Sequence, residues 1–116
     1  MTTTKMLTWD RGGTRFSWNG EEITTPAAIL WVAELPGHNG CGVVTLFDEK
    51  TPRDIPNGFI YKDGTFQPLK IYEEGNLIRF LGCYAEGDNI VFNATNDTEY
   101  LLNPETCQVL SNRYYR

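Results

Sequence analysis

The sequence predicts an all-β fold: an antiparallel meander forming a single sheet, a sandwich or a partial barrel, with little or no helix. Three observations predict it. No segment sustains an apolar period of 3.6 residues. Apolar runs of four to eight residues recur along the whole chain, and clusters of Gly, Asn, Asp and Pro separate them at short intervals. Near the middle, Ala28–Leu35 and Gly42–Phe47 are two such runs joined by Pro36-Gly37-His38-Asn39-Gly40. In the second run Val43 and Phe47 point to one face, and Val44 and Leu46 to the other. Both faces are apolar, which places this hairpin centrally in the sheet with cover on each side.

The remaining elements follow in order. Lys5–Trp9 is expected as a first strand, turned by Asp10-Arg11-Gly12-Gly13. Thr14–Trp18 alternates, with Phe16 and Trp18 on one face, and meets Glu21–Thr24 through Asn19-Gly20. Both turn residues tolerate positive φ, so this dipeptide between extended runs signals a type I′ hairpin. Pro26 leads into the central hairpin, and Asp48–Asn57, with two prolines and five charges, is the longest loop. Gly58–Tyr61 and Thr65–Ile71 flank a Lys62-Asp63-Gly64 turn, and Pro68 argues for an edge position or a bulge. After Glu73-Glu74-Gly75-Asn76, Leu77–Ala85 alternates with Ile78, Phe80 and Tyr84 on one side and Arg79 and Cys83 on the other. Gly82 marks a bend. Ile90–Ala94, Glu99–Asn103 and Gln108–Tyr115 complete the set, separated by turns at 86–89, 95–98 and 104–106. Val44, Leu46, Phe59, Phe80, Ile90 and Phe92 are the expected core.

Length sets the scale. A chain of 116 residues reads as one domain over 1–116 and can bury on the order of 65% of its unfolded surface. With 41% hydrophobic and 13% aromatic residues it is globular rather than disordered. No apolar run approaches the roughly 20 residues needed to cross a bilayer. Met1-Thr2-Thr3-Thr4-Lys5 lacks the apolar core of a signal peptide, which points to the cytoplasm. Cys41, Cys83 and Cys107 are odd in number, widely spaced, and free of any Cys-x-x-Cys pair. Free thiols are therefore expected, and with His38 as the sole histidine no metal site is.

One order of motifs carries a resemblance. Val-Val-Thr-Leu-Phe-Asp is followed by a proline-containing loop, then Asn57-Gly58-Phe59-Ile60-Tyr61-Lys62-Asp63-Gly64, and finally Tyr100-Leu101-Leu102-Asn103-Pro104-Glu105-Thr106. This resembles the small all-β immunity proteins encoded beside bacterial polymorphic and contact-dependent growth inhibition toxins. Their pattern has an Asn-x-Phe strand start, an Asp-Gly turn and a terminal Tyr-x-Leu-Asp-Pro-x-Thr-Gly turn. Here Asn103 stands for the Asp and Cys107 for the Gly. The resemblance runs from Ala28 to the C-terminus. It implies a non-enzymatic antitoxin-like protein that binds and neutralises a cognate toxin.

The chemistry inventory is mostly negative. There is no nucleophile-elbow motif, phosphate-binding loop or dinucleotide fingerprint, and no cofactor is expected. Asn93-Ala94-Thr95 and Asn96-Asp97-Thr98 are formal glycosylation sequons that read better as a strand end and a turn. Ten Lys and Arg against fifteen Asp and Glu give a net charge of −5, which opposes a nucleic-acid partner. It suits a basic protein, such as a nuclease toxin, because complementary charge speeds encounter. In a meander successive turns alternate between two ends, so the loop 48–57 and the turns 73–76 and 95–98 should share one end. Asp48, Glu49, Asp54, Glu73 and Glu74 are therefore the expected contacts for that partner. Two other readings remain open: a small β-domain enzyme using a carboxylate pair such as Glu21-Glu22, Asp48-Glu49 or Glu73-Glu74, and a structural subunit of a larger assembly.

Overall fold

A computed structural model describes residues 7–114. Among them thirteen strands form four antiparallel sheets, each joining consecutive strands, and none closes into a barrel. A front sheet contains Leu7–Trp9 (β1), Arg15–Trp18 (β2) and Glu21–Thr24 (β3). A central sheet contains Ile29–Glu34 (β4), Gly40–Thr45 (β5), Gly58–Lys62 (β6) and Thr65–Pro68 (β7). Tyr72–Glu73 (β8) and Asn76–Leu77 (β9) make a small hairpin. A back sheet contains Phe80–Glu86 (β10), Asn89–Ala94 (β11), Thr98–Leu102 (β12) and Val109–Tyr114 (β13). Among the described residues the helical content is one 3₁₀ turn, Pro36–His38.

β5 explains the layering. Side chains alternate along a strand, so Cys41 and Val43 face the front sheet while Gly42 and Val44 face the back one. β6 repeats the division, with Phe59 and Tyr61 forward and Ile60 backward. The front core joins these to Phe16, Ile23, Ile29 and Val32. The back core joins Leu35, Val44 and Ile60 to Phe80, Ile90, Phe92, Tyr100 and Leu102. A central sheet covered on both faces is what the apolar β5 run implies. No helix is long and apolar enough to cross a membrane among the described residues.

Turn chemistry fixes the hairpins. Asn19 and Gly20 both take positive φ, and so do Asp63-Gly64 and Glu74-Gly75, the pairing a type I′ turn requires. Pro68 lies on β7, at the margin of the central sheet, where its missing N–H breaks no ladder.

Four expectations need correction. Leu46 is not core: β5 ends at Thr45 and Leu46 is 36% exposed. The strand expected over 77–85 is two strands, because Ile78 N–H turns to Ile71 O and Phe80 N–H to Asn57 Oδ1. A bulge between Phe80 and Gly82 then inverts the alternation, so Cys83 is buried with Phe80 and Tyr84 faces out. The strand expected to reach Ile71 stops at Pro68. Lys5 of the expected first strand and Tyr115 of the last lie outside the described residues.

Asn57 ties the layers together. Its buried side chain donates to Thr45 O (2.9 Å) and Phe80 O (2.8 Å) and accepts from Phe80 N–H (2.8 Å). One amide thus joins the end of β5 to the start of β10. Gly58 beside it allows the close approach: a Cβ there would lie 2.6 Å from Phe80 Cδ2.

Candidate functional site

The loop 48–57 is shaped by its own polar groups. Asp48 Oδ1 accepts from Lys50 N–H (2.8 Å), Thr51 N–H (3.1 Å) and Thr51 Oγ1 (3.3 Å), so this carboxylate is held in an Asx-type turn. Arg79 anchors the loop from the back sheet side. Its Nη2 donates to Pro52 O at 2.7 Å, and its guanidinium lies 5.0 Å from the centre of the Phe47 ring. Between loop and hairpin runs an open cleft of about 360 Å³, lined by Phe47, Asp48, Glu49, Arg53, Leu77 and Arg79 among others.

The turn 95–98 joins the same end. Asn96 Nδ2 donates to Glu73 Oε2 at 2.9 Å, Tyr100 OH donates to the same oxygen at 3.3 Å, and Thr95 N–H donates to Arg79 O at 3.0 Å. The structure therefore brings the loop 48–57 and the turns 73–76 and 95–98 together. It does not give the five predicted acids one role. Asp48 and Glu73 are committed to internal hydrogen bonds. Glu49, Asp54 and Glu74 are exposed, and their carboxylates have no hydrogen-bond or ion-pair partner among the described residues.

Two features of this end escaped the sequence reading. Arg79 adds a third cation to Lys50 and Arg53; its place between Ile78 and Phe80 suggested an ordinary strand residue. Ile55, half exposed beside Asp54, puts an apolar side chain on the acidic loop. An isoleucine among five loop charges was the available signal.

The opposite end is more fully paired. Lys62 Nζ forms an ion pair with Glu105, whose carboxyl is held below the ordinary range first by that hydrogen bond and then by the charge behind it. His38 Nδ1 lies 2.8 Å from Glu34 Oε1, and Trp18 Nε1 donates to Glu34 Oε2 at 2.7 Å. His38 therefore addresses a carboxylate rather than a thiol. The three cysteines are free. Burial pushes the Cys41 thiol up to about 12 and raises Cys83 and Cys107 as well. Such thiols are poor nucleophiles at neutral pH.

The carboxylate pairs do not act as units. Glu22 pairs across strands with Arg15 at 3.5 Å, whereas its neighbour Glu21 projects from the opposite face of β3. Among the described residues no three His, Cys, Asp or Glu side chains group to hold a metal ion. The sequon asparagines are occupied in the fold: Asn93 donates to Glu99 and Asn96 to Glu73. No family model matches the sequence, and no curated protein matches it.

Proposed function

We infer that this is a non-enzymatic, immunity-type binding protein that neutralises a basic toxin domain by covering it with the end built from the loop 48–57 and the turns at 73–76 and 95–98. One observation carries the reading. Glu49, Asp54 and Glu74 project from that end with no hydrogen-bond or ion-pair partner among the described residues, and Ile55, next to Asp54 in the chain, is half exposed. An exposed apolar side chain and unpaired acids at one end suit a protein partner, with the charge setting encounter rate and the apolar contact setting residence. The net charge of −5 favours a basic partner. The motif resemblance to immunity proteins supplies the biological class, and the cytoplasm is the compartment that goes with it.

The test has two steps. The protein is used as bait in a lysate of its source, and the captured protein is identified by mass spectrometry; a basic toxin domain is expected. Association with that protein is then followed by stopped flow for D54K/E74K. The association rate should fall about tenfold or more at low salt. Folding stability should stay within about 0.5 kcal/mol of wild type, because both residues are exposed and unpaired. A doubly reversed protein that binds as fast as wild type overturns this placement of the interface.

A further inference from the structure

The inner face of the back sheet is covered unevenly. Phe80, Phe92 and Tyr100, from β10, β11 and β12, are buried in the core shared with the central sheet. β13 lies outside that cover, and all six of its residues are exposed. Residues paired across an antiparallel ladder project to the same face. Asn112, opposite Tyr100, and Tyr114, opposite Thr98, therefore lie on the inner face with those two buried side chains. Arg113, opposite Glu99, lies on the outer face. The hairpin β8–β9 reaches the same margin through Glu73 and leaves a cleft of about 180 Å³ against β13. Glu73, Thr98, Tyr100, Asn112, Arg113 and Tyr114 line it.

Three groups in this cleft are placed but unengaged. Glu73 accepts from Asn96 Nδ2 (2.9 Å) and Tyr100 OH (3.3 Å), both through Oε2. Both donors are neutral, so they orient the carboxylate without cancelling its charge. Oε1 has no partner among the described residues, and neither does the side-chain amide of Asn112. The Tyr114 ring is 80% exposed and touches no other ring there. The cation that lines the cleft is turned away from it. Arg113 Nε binds Glu99 Oε1 at 2.8 Å and Nη2 binds Glu86 Oε1 at 2.7 Å, on the outer face. A fixed carboxylate oxygen, an amide oxygen and an open aromatic ring together match a guanidinium. Its fork of N–H groups serves the two oxygens and its flat cationic face stacks on the ring.

We propose that this cleft is a guanidinium site and that it receives an arginine side chain of the basic partner. Glu73 Oε1 accepts a charge-assisted hydrogen bond, Asn112 Oδ1 accepts a second, and the Tyr114 ring covers the cation. An ammonium is a poorer occupant, because a compact point charge has neither the fork nor the flat face. Glu73 and Thr98 belong to the turns at 73–76 and 95–98, so an arginine seated here lies within the interface already described. Assigning that arginine to the partner rests on the proposed function; binding of a free guanidinium by the cleft does not.

Nuclear magnetic resonance titration of the full chain with N-acetyl-arginine amide tests the site directly. Amide signals of Thr98, Asn112 and Tyr114 should shift and saturate, and N-acetyl-citrulline amide, nearly the same shape without the charge, should leave them in place. Glu73→Gln keeps an acceptor for Asn96 and Tyr100 and should weaken binding about tenfold or more. Tyr114→Leu should weaken it about two- to fivefold. Cleft signals that ignore the arginine probe, or follow citrulline equally, overturn the proposal, as does Glu73→Gln binding with wild-type affinity. Should Glu73→Gln disturb the fold, wild-type affinity in Tyr114→Leu overturns it instead. With the captured partner, Glu73→Gln should speed dissociation about tenfold, and an unchanged dissociation rate also overturns the proposal. The two readings fail separately. Capture of no basic protein defeats the proposed function, and the titration alone then decides the guanidinium site.

Discussion

The two faces of the central sheet solve the same packing problem in opposite ways. Toward the front sheet it presents large rings: Tyr61 meets Phe16 at 5.9 Å and Trp18 at 6.5 Å, both edge-on, and is backed within its own sheet by Phe66, tilted at 4.8 Å. Toward the back sheet it presents gaps. A Cβ on Gly42 would lie 2.6 Å from Ile90 Cδ1 and 2.9 Å from Cys83 Sγ, so the back sheet supplies the volume that β5 omits. One interface fills space from the centre outward, the other from outside inward. The consequence is mechanical. Rings on the short front strands can relax toward solvent when a neighbour is lost, whereas the back sheet is held in register by glycines that admit nothing larger.

Truncating one ring on each side measures the difference. Phe80 is fully buried, meets Phe92 at 5.4 Å and Tyr100 at 6.2 Å, and fills the space over Gly58. Phe80→Ala should cost about 4–5 kcal/mol in urea unfolding, the upper part of the range for such changes. Phe16→Ala should fall nearer 3 kcal/mol, because β1–β3 can close on the cavity. Equal losses would remove the asymmetry.

Asn57→Ala comes next. It deletes three hydrogen bonds at once, so that Phe80 N–H, Phe80 O and Thr45 O all lose their Asn57 partner. A buried group left unsatisfied costs about 1–3 kcal/mol, and partial access of water to the vacated space should hold the total near 3 kcal/mol. Asn57→Asp keeps the acceptor for Phe80 N–H but sets a carboxylate against two carbonyl oxygens, so it should be no better than alanine in thermal melts. Rescue by Asp would show that the Phe80 N–H bond alone matters.

Gly42→Ala is smaller and more diagnostic. Overpacking of this kind costs about 1–3 kcal/mol. The nearest atom is the terminal methyl of Ile90. Ile90→Val removes that methyl, so the double mutant should lose clearly less than the two single losses added together. Strict additivity would mean that another contact, such as Cys83 Sγ, sets the spacing.

These positions also show what the sequence could and could not tell. The meander, the primed turns and the two-faced character of β5 were legible because they depend on local chemistry: Asn-Gly and Asp-Gly for positive φ, a solid apolar run for burial on both sides. The sidedness of Gly42 was not legible, since a glycine in a strand reads the same whether it faces a ring, a methyl group or water. The bulge at Leu81 was hidden for a related reason. Phe80, Tyr84 and Cys83 alternate acceptably in either phase, and only the docking of β10 on β4 and β5 chooses between them. At the acidic end, sequence placed the three turns together by counting strands. It could not separate Glu73, held by Asn96 and Tyr100, from Glu74 one residue on, because that distinction lies in partners 23 and 27 positions away. Cys107 is a milder case. It takes a left-handed φ of 61°, a conformation that favours glycine, at some backbone cost.

The smallest expected effect compares the outer faces of the front and back sheets. On the front sheet, Arg15 and Glu22 form an ion pair at 3.5 Å with both side chains about two-thirds exposed. On the back sheet, Glu99 has a side chain only 12% exposed and gathers Arg113, Tyr84 OH (3.0 Å) and Asn93 Nδ2 (2.9 Å) from the three other strands of that sheet. The Arg113 hydrogen bond leads in holding this carboxyl below the ordinary carboxylate range, and burial partly opposes it. A depressed folded-state pKa means that the unfolded chain takes up its proton first as pH falls. The stability from Glu99 is then present in full above the unfolded value of about 4.3 and is lost as pH drops through the lower folded value. Thermal melts from pH 7 to pH 3 should therefore show a shallower acid decline for Glu99→Gln than for wild type, together with a lower starting stability at pH 7. Glu22→Gln should follow the wild-type curve throughout, because an exposed pair contributes little to stability. If the two variants gave the same acid limb, the outer-face cluster would be no more than a surface ion pair. The hold of β12 on β13 would then rest on the backbone ladder alone.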